Sequence, residues 1–220
     1  MQKWGYKILA GFYDYFRKDH VRESIFLCEL LETEGIETVL DVGCGTGLHM
    51  AYLEDEGFYC EGLDLHEEML EIAMTRVRGE LYQANMIDFS LGRYDAIICM
   101  YAVFNHLMPE DAKKAVECFK RHADLVVIDL HNPQKSGTKT EIKGHLTRTM
   151  TWDYDPKTRI EKTKVLFKLG KQRFEDEHKL RIYSIDEMRE MIGDLRAYED
   201  HTFKEATYRS KNIQVVARFK

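Results

Sequence analysis

Two near-continuous apolar runs, YDAIICMY and ADLVVIDL, flank the amphipathic stretch PEDAKKAVECFKRH, and this arrangement restricts the fold more than any other feature of the chain. A strand without alternation must be covered on both faces, and two such strands lying parallel need a crossover between them, usually a helix. Pro109 opens the amphipathic stretch, a position where its missing N–H costs nothing. The same rhythm runs over residues 20 to 130. A helix is expected over His20–Glu34, where Ile25, Leu27, Cys28, Leu30 and Leu31 form an apolar stripe. TVLDV reads as a strand, GLHMAYLEDEG as a helix stopped by Gly57, YCEGLDL as a strand, HEEMLEIAMTRVRG as a helix and ELYQAN as a short strand. Strands alternating with helices in this way predict a doubly wound, mostly parallel α/β sheet.

The pattern changes after Asn132. PQKSGTK is loop-like, whereas LTRTMTWDY, RIEKTKVLFKL and FEDEHKLRIYS read as strands joined by turns at Asp155–Lys157 and Gly170–Gln172. An antiparallel excursion of about three strands is therefore expected after the fifth strand, spanning 133–183 and forming a lid or a dimer surface. SIDEMREMIGD follows as a helix with Ser184 as N-cap and Glu187 at the capping-box position. Strands near 195–203 and 212–219 bring the main sheet to seven. The whole of 1–220 suits a single domain, with the ligand-binding core at 35–130.

Five scattered cysteines, none in a CxxC pair, fit reduced thiols and give no zinc-ligand spacing. The N-terminal MQKWGYKILAGFYDYF has neither the order of a signal peptide nor an 18-residue apolar run, so a cytoplasmic protein that does not span a membrane is expected. A net charge of −6 disfavours a phosphate-backbone partner such as DNA.

The ligand is signalled by ETVLDVGCGTGLHM. A dinucleotide loop reads GxGxxG and receives a pyrophosphate. Here Gly43, Gly45 and Gly47 give GxGxG, Leu48 stands where the third dinucleotide glycine belongs, and Asp41 would repel a diphosphate. An acid beside a tight glycine turn suits a cation instead, and S-adenosylmethionine carries a sulfonium and an ammonium. Asp64 closes the second strand, where an acid can accept both hydroxyls of an adenosine ribose. Asn85 and Met86 follow the third strand, where the adenine would lie.

These blocks together resemble the class I S-adenosylmethionine-dependent methyltransferases, whose fold is Rossmann-like. VLDVGCGTG looks like their first motif, GLDLHEEML like the acidic second, ANMIDF like the adenine block and YDAIICMYAVFNHL like the fourth. The resemblance implies cofactor contacts at Asp41, Gly43, Cys44, Gly45, Asp64, Leu65, Asn85, Met86, Met100 and Tyr101. A nearer resemblance, to sugar N,N-dimethyltransferases and glycine/sarcosine N-methyltransferases, rests on FYDYF, on a histidine after the fourth strand and on an acid ending the fifth. It implies catalytic roles for Tyr13 and His106 and a substrate contact for Asp129. Arg17 or Lys18 would meet the methionine carboxylate, or else form a solvated helix end.

Methyl transfer is an in-line displacement, so holding the nucleophile about 3 to 3.5 Å from the methyl carbon supplies most of the catalysis. An amine acceptor must first lose a proton, which a histidine near its ordinary pKa can take. A small-molecule amine is the expected acceptor. A protein or RNA methyltransferase and a non-catalytic S-adenosylmethionine-binding regulator remain as alternatives. Adenine methylation of DNA is disfavoured because no NPPY-like tetrapeptide follows the fourth strand, and cytosine attack because Cys99 is not in a Pro-Cys turn.

Overall fold

The protein is described by a computed structural model covering residues 10–17, 20–133 and 135–219. The first helix of the sheet-bearing region, α1 (His20–Thr33), leads into β1 (Thr38–Val42), α2 (Leu48–Asp55), β2 (Tyr59–Asp64), α3 (Glu67–Ala73), β3 (Leu81–Gln83), β4 (Tyr94–Cys99), α4 (Pro109–His122) and β5 (Ala123–His131). Four antiparallel strands follow, β6 (Gly137–Lys143), β7 (Leu146–Asp155), β8 (Ile160–Leu169) and β9 (Gln172–Arg181). The chain then returns through α5 (Ile185–Ile192), β10 (Arg196–Glu199) and β11 (Asn212–Arg218).

The main sheet has seven strands in the order β10-β11-β5-β4-β1-β2-β3. Strands β1 to β5 are parallel and β11 runs antiparallel to β5. The order reverses between β1 and β4, which opens a crevice at the carboxyl ends of β1, β2 and β4, where ligands bind in open α/β sheets.

Alternation along each strand divides the core in two. Val39, Ala96, Ile98, Leu125 and Val127 pack against Phe26, Leu27, Leu30 and Leu31 of α1 and Met50 and Leu53 of α2. Leu40, Val42, Ile97, Cys99, Val126 and Ile128 face the other way, onto Ala112, Val116 and Phe119 of α4 and Met188 of α5. Fully burying one such aliphatic side chain stabilises by roughly 1.5–3 kcal/mol, so neither layer would persist without its helices. The Ser184 capping box forms as expected, its side chain accepting from the Glu187 N–H while Glu187 accepts from the Ser184 N–H.

The excursion differs from expectation by one strand. Thr138 and Lys139, read as part of a loop, belong to β6, which pairs with β7 over Gly137↔Trp152 to Lys143↔Leu146. Its side chains are mostly solvent-exposed, so the ladder alone holds it and no burial pattern marks it in the sequence. The inner face of this second sheet packs on the N-terminal segment, where Phe16 meets Leu146, Val165 and Phe167.

Candidate cofactor and acceptor site

The glycine turn is built by left-handed backbone at Gly43 (φ +74°), Gly45 (φ +56°) and Gly47 (φ +77°), conformations that favour glycine. The N–H groups of Gly43 and Cys44 donate to the Leu63 carbonyl at 2.7 and 3.0 Å, pinning the turn to the end of β2. A Cβ on Gly43 would lie 2.5 Å from Val103 Cγ1, whereas one on Gly45 would enter open space. Gly45 therefore borders the volume a ligand would fill.

Two carboxylates face this turn. Asp64 accepts from the Gly45 N–H (2.9 Å) through one oxygen and from the His66 N–H (2.9 Å) through the other. Asp41 is 2 % exposed, and its Oδ2 has no hydrogen-bond partner among the described residues. Burial, reinforced by the charge of Asp64, pushes its pKa up to about 7, and Arg17 only partly offsets this. An orphaned buried acid beside a ribose-type acid and an open glycine turn fits a cationic adenosine cofactor, S-adenosylmethionine, and fits a diphosphate poorly.

The N-terminal segment closes the site. Asp14 accepts from the Thr46 hydroxyl at 2.6 Å and from the Arg76 guanidinium at 2.7 Å, latching the segment to the glycine turn. Tyr13 and Tyr101 meet edge to face at 6.0 Å, and the Arg17 guanidinium lies 3.4 Å from the centre of the Tyr101 ring. Arg17 is only 9 % exposed and pairs with buried Glu23 (3.0 Å), so it is no solvated helix end. Glu23 also accepts from His49 at 2.9 Å. Burial opposes ionisation of Glu23, yet the His49 hydrogen bond and the Arg17 charge bring its pKa down to about 2. Lys18 lies outside the described residues.

Tyr101 and Ala102 both have positive φ (55° and 58°), costly for residues with a Cβ and typical of functional turns. This turn leads to His106. His106 keeps solvent exposure, yet partial loss of water, together with the neighbouring His178, lowers its pKa to about 4. Its ring centre lies 5.3 Å from that of His178 on β9, a residue the sequence analysis did not single out. The intervening Asn105 is fully buried. Its amide donates to the carbonyls of His131 (3.3 Å) and Arg181 (2.8 Å) and accepts from the His131 N–H (2.9 Å).

Tyr13, Asp41, Gly43, Cys44, Gly45, Asp64, Tyr101 and His106 thus gather around one crevice. Leu65 (57 % exposed) extends beyond Asp64. Asn85 is exposed and accepts from the Ile87 N–H at 3.3 Å, and Met86 is partly buried beside it. Two of the expected contact residues, Met100 and Asp129, are buried. Met100 is a core side chain, because the two-residue strand period puts it with Ala96 and Ile98 against α1 and α2. Asp129 shares the face of Leu125 and Val127. It accepts from Gln214 at 2.7 Å and sits 3.2 Å from His201, inside a buried polar cluster.

A separate cavity of about 610 Å³ involves none of these residues. Its arginines are already paired, Arg159 with Glu187, Arg189 with Asp186 and Arg196 with Glu34.

Strand order, glycine turn and the two carboxylates form a Rossmann-like site that suits a cationic adenosine cofactor. Residues 39–124 match the family model described as a methyltransferase domain. The chain is similar to the dTDP-3-amino-3,6-dideoxy-alpha-D-glucopyranose N,N-dimethyltransferase of Streptomyces fradiae, 38 % identical over 118 residues. It is also similar to the glycine/sarcosine/dimethylglycine N-methyltransferase of Actinopolyspora halophila, 32 % identical over 130 residues. These matches cover 50 % and 53 % of this chain but only 46 % and 23 % of those proteins. The fold matches that of an S-adenosylmethionine-dependent methyltransferase from Clostridium acetobutylicum with a TM-score of 0.84 at 18 % identity, covering 97 % of this chain and 98 % of the other. Among the described residues no group of histidine, cysteine and acidic side chains could hold a metal ion, and no helix is long and apolar enough to cross a membrane.

Proposed function

We propose that the protein transfers a methyl group from S-adenosylmethionine to an amine nitrogen of a small molecule. The observation that carries this reading is the unpartnered, buried Asp41 carboxylate facing the glycine turn next to Asp64. When bound, the cofactor supplies an electrophilic methyl group on a sulfonium. Asp64 accepts the ribose hydroxyls, Asp41 favours the cationic amino acid end, and Arg17 receives its carboxylate. Leu65, Asn85, Met86 and Cys44 border the adenine, and the Tyr13–Tyr101 pair keeps water from the transfer path.

An amine acceptor is supported by the named activities of the relatives and by the acids that β8 and β9 turn inward, Glu161 and Asp176. The second sheet is read as a lid over the acceptor, and the exposed edge strand β6, with Ile142 open to solvent, as the place where a second copy of the chain would pair. Free, buried cysteines support a cytoplasmic setting.

A thermal-shift comparison of S-adenosylmethionine, S-adenosylhomocysteine, NAD and NADP tests the cofactor. Ligand at about 100 times its Kd stabilises by roughly 2.7 kcal/mol. Stabilisation by the two adenosyl compounds alone supports the reading, and none by either sinks it. A screen of amino sugars and small amines, read by the mass added per methyl, then tests the acceptor class.

A further inference from the structure

We infer that the Asp176–His178 pair of the inserted sheet, and not His106, takes the proton from the acceptor's ammonium nitrogen. The inference rests on the proposed amine methylation. Along β9 the side chains alternate, so that Phe174, Asp176, His178 and Leu180 turn inward while Glu175, Glu177 and Lys179 are exposed. Asp176 Oδ2 lies 3.6 Å from His178 Nδ1. A carboxylate on that side favours the proton at Nδ1 and Nε2 as the accepting nitrogen, a pairing that tightens to a hydrogen bond with a small movement of either side chain.

His178 reaches the same crevice as His106, as their ring contact shows. The two histidines differ in company. Among the described residues no carboxylate pairs with His106, and partial loss of water together with the neighbouring His178 and His66 keeps it a weak base. Asp176 is held below the usual carboxylate range, first by His178, and so stays ionised to stabilise an imidazolium. The groups facing His178 are Asp176 on its own strand, Glu161 on β8, His106 on the turn after β4 and, through Asp176 and His106, His66 beyond β2. Thr163 is its uncharged cross-strand neighbour. Asp176 and Glu161 place two carboxylates beside this ring, which favours an arriving ammonium.

The proton balance is simple. The N–H bond of the ammonium breaks, its electron pair stays on nitrogen as the nucleophile, and the proton forms a new bond to His178 Nε2. The resulting imidazolium is neutralised by Asp176 and later loses the proton to water.

Two measurements on the full chain test this. The first is NMR of the histidine rings without cofactor, in wild type and Asp176→Asn. The His178 ring is expected to carry its proton at Nδ1 in the wild type and to lose that preference in the variant, and an unchanged tautomer overturns the pairing. The second is the pH profile of kcat/KM with an amine found in the screen. His178→Gln should lower it about 100-fold below the amine's own pKa and recover as the pH approaches that pKa, with S-adenosylmethionine affinity unchanged. If His106→Gln gives that profile and His178→Gln does not, the assignment is wrong while the proposed function stands. Cofactor binding without methylation of any amine sinks the function, and this inference with it.

Discussion

The Asp64 carboxylate accepts a hydrogen bond from the Gly45 N–H at 2.9 Å, so the acid that closes β2 also holds the turn that follows β1. One side chain thereby joins the two segments that the sequence presents 19 residues apart. Asp64→Ala should weaken S-adenosylmethionine by roughly 1.5 to 3 kcal/mol through loss of charge-assisted hydrogen bonds. Calorimetric titration reads this directly, and an unchanged Kd would remove Asp64 from the ribose site.

Asp41 gives the cofactor site a pH dependence. Its pKa near 7 in the chain alone should fall when a cation binds beside it, so binding releases a proton. Affinity for S-adenosylmethionine should therefore decline as the pH drops below 7, by up to about tenfold per unit. Titrations in two buffers of different ionisation enthalpy count the proton. In Asp41→Asn that release should vanish, and its persistence would assign the proton elsewhere.

The glycines of the turn should separate folding from binding. Gly43→Ala brings a methyl within 2.5 Å of Val103, on the turn that carries His106, and should destabilise the fold. Gly45→Ala meets open space and should cost only the left-handed backbone penalty, about 1–2 kcal/mol. Its methyl nevertheless projects into the ligand volume, so cofactor affinity should fall well beyond the loss of stability. Equal losses in both variants, by denaturation and calorimetry, would contradict this geometry.

Glu23→Gln removes the charge that balances buried Arg17 and should destabilise by about 3 kcal/mol. In the wild type the Glu23 pKa is lowered on folding, so its contribution is fully present above the unfolded value of about 4.3 and is lost as the pH falls through 2. Chemical denaturation from pH 7 to pH 3 should show the two proteins converging toward the acid end. Parallel curves would place the acid sensitivity in other carboxylates.

Much of this was legible in the chain because it is local. The glycine turn, Asp64 and the alternating apolar segments depend on spacings of a few residues, and the capping box at Ser184 on three. Met100 and Asp129 proved to be buried on the α1 and α2 side of the sheet, which proximity to a strand end does not reveal. Ala96, Ile98 and Met100, or Leu125, Val127 and Asp129, disclose the face once the two-residue period is followed. Strand β6 carries turn-like residues and little burial, so only its partner reveals it. Glu23, His49, Asp176 and His178 were out of reach, since each acquires meaning from a segment distant in sequence.

Asn105 holds the carbonyls of His131 and Arg181 with one buried amide, so the two ends of the inserted sheet are tied together next to His106. A sheet whose ends share one footing can exchange inward side chains over time while that footing stays, except where Phe16 and the latched N-terminal segment rest on it. On the proposed function, handling of the methyl donor would be written mainly in the parallel strands and choice of the recipient mainly in the appendage.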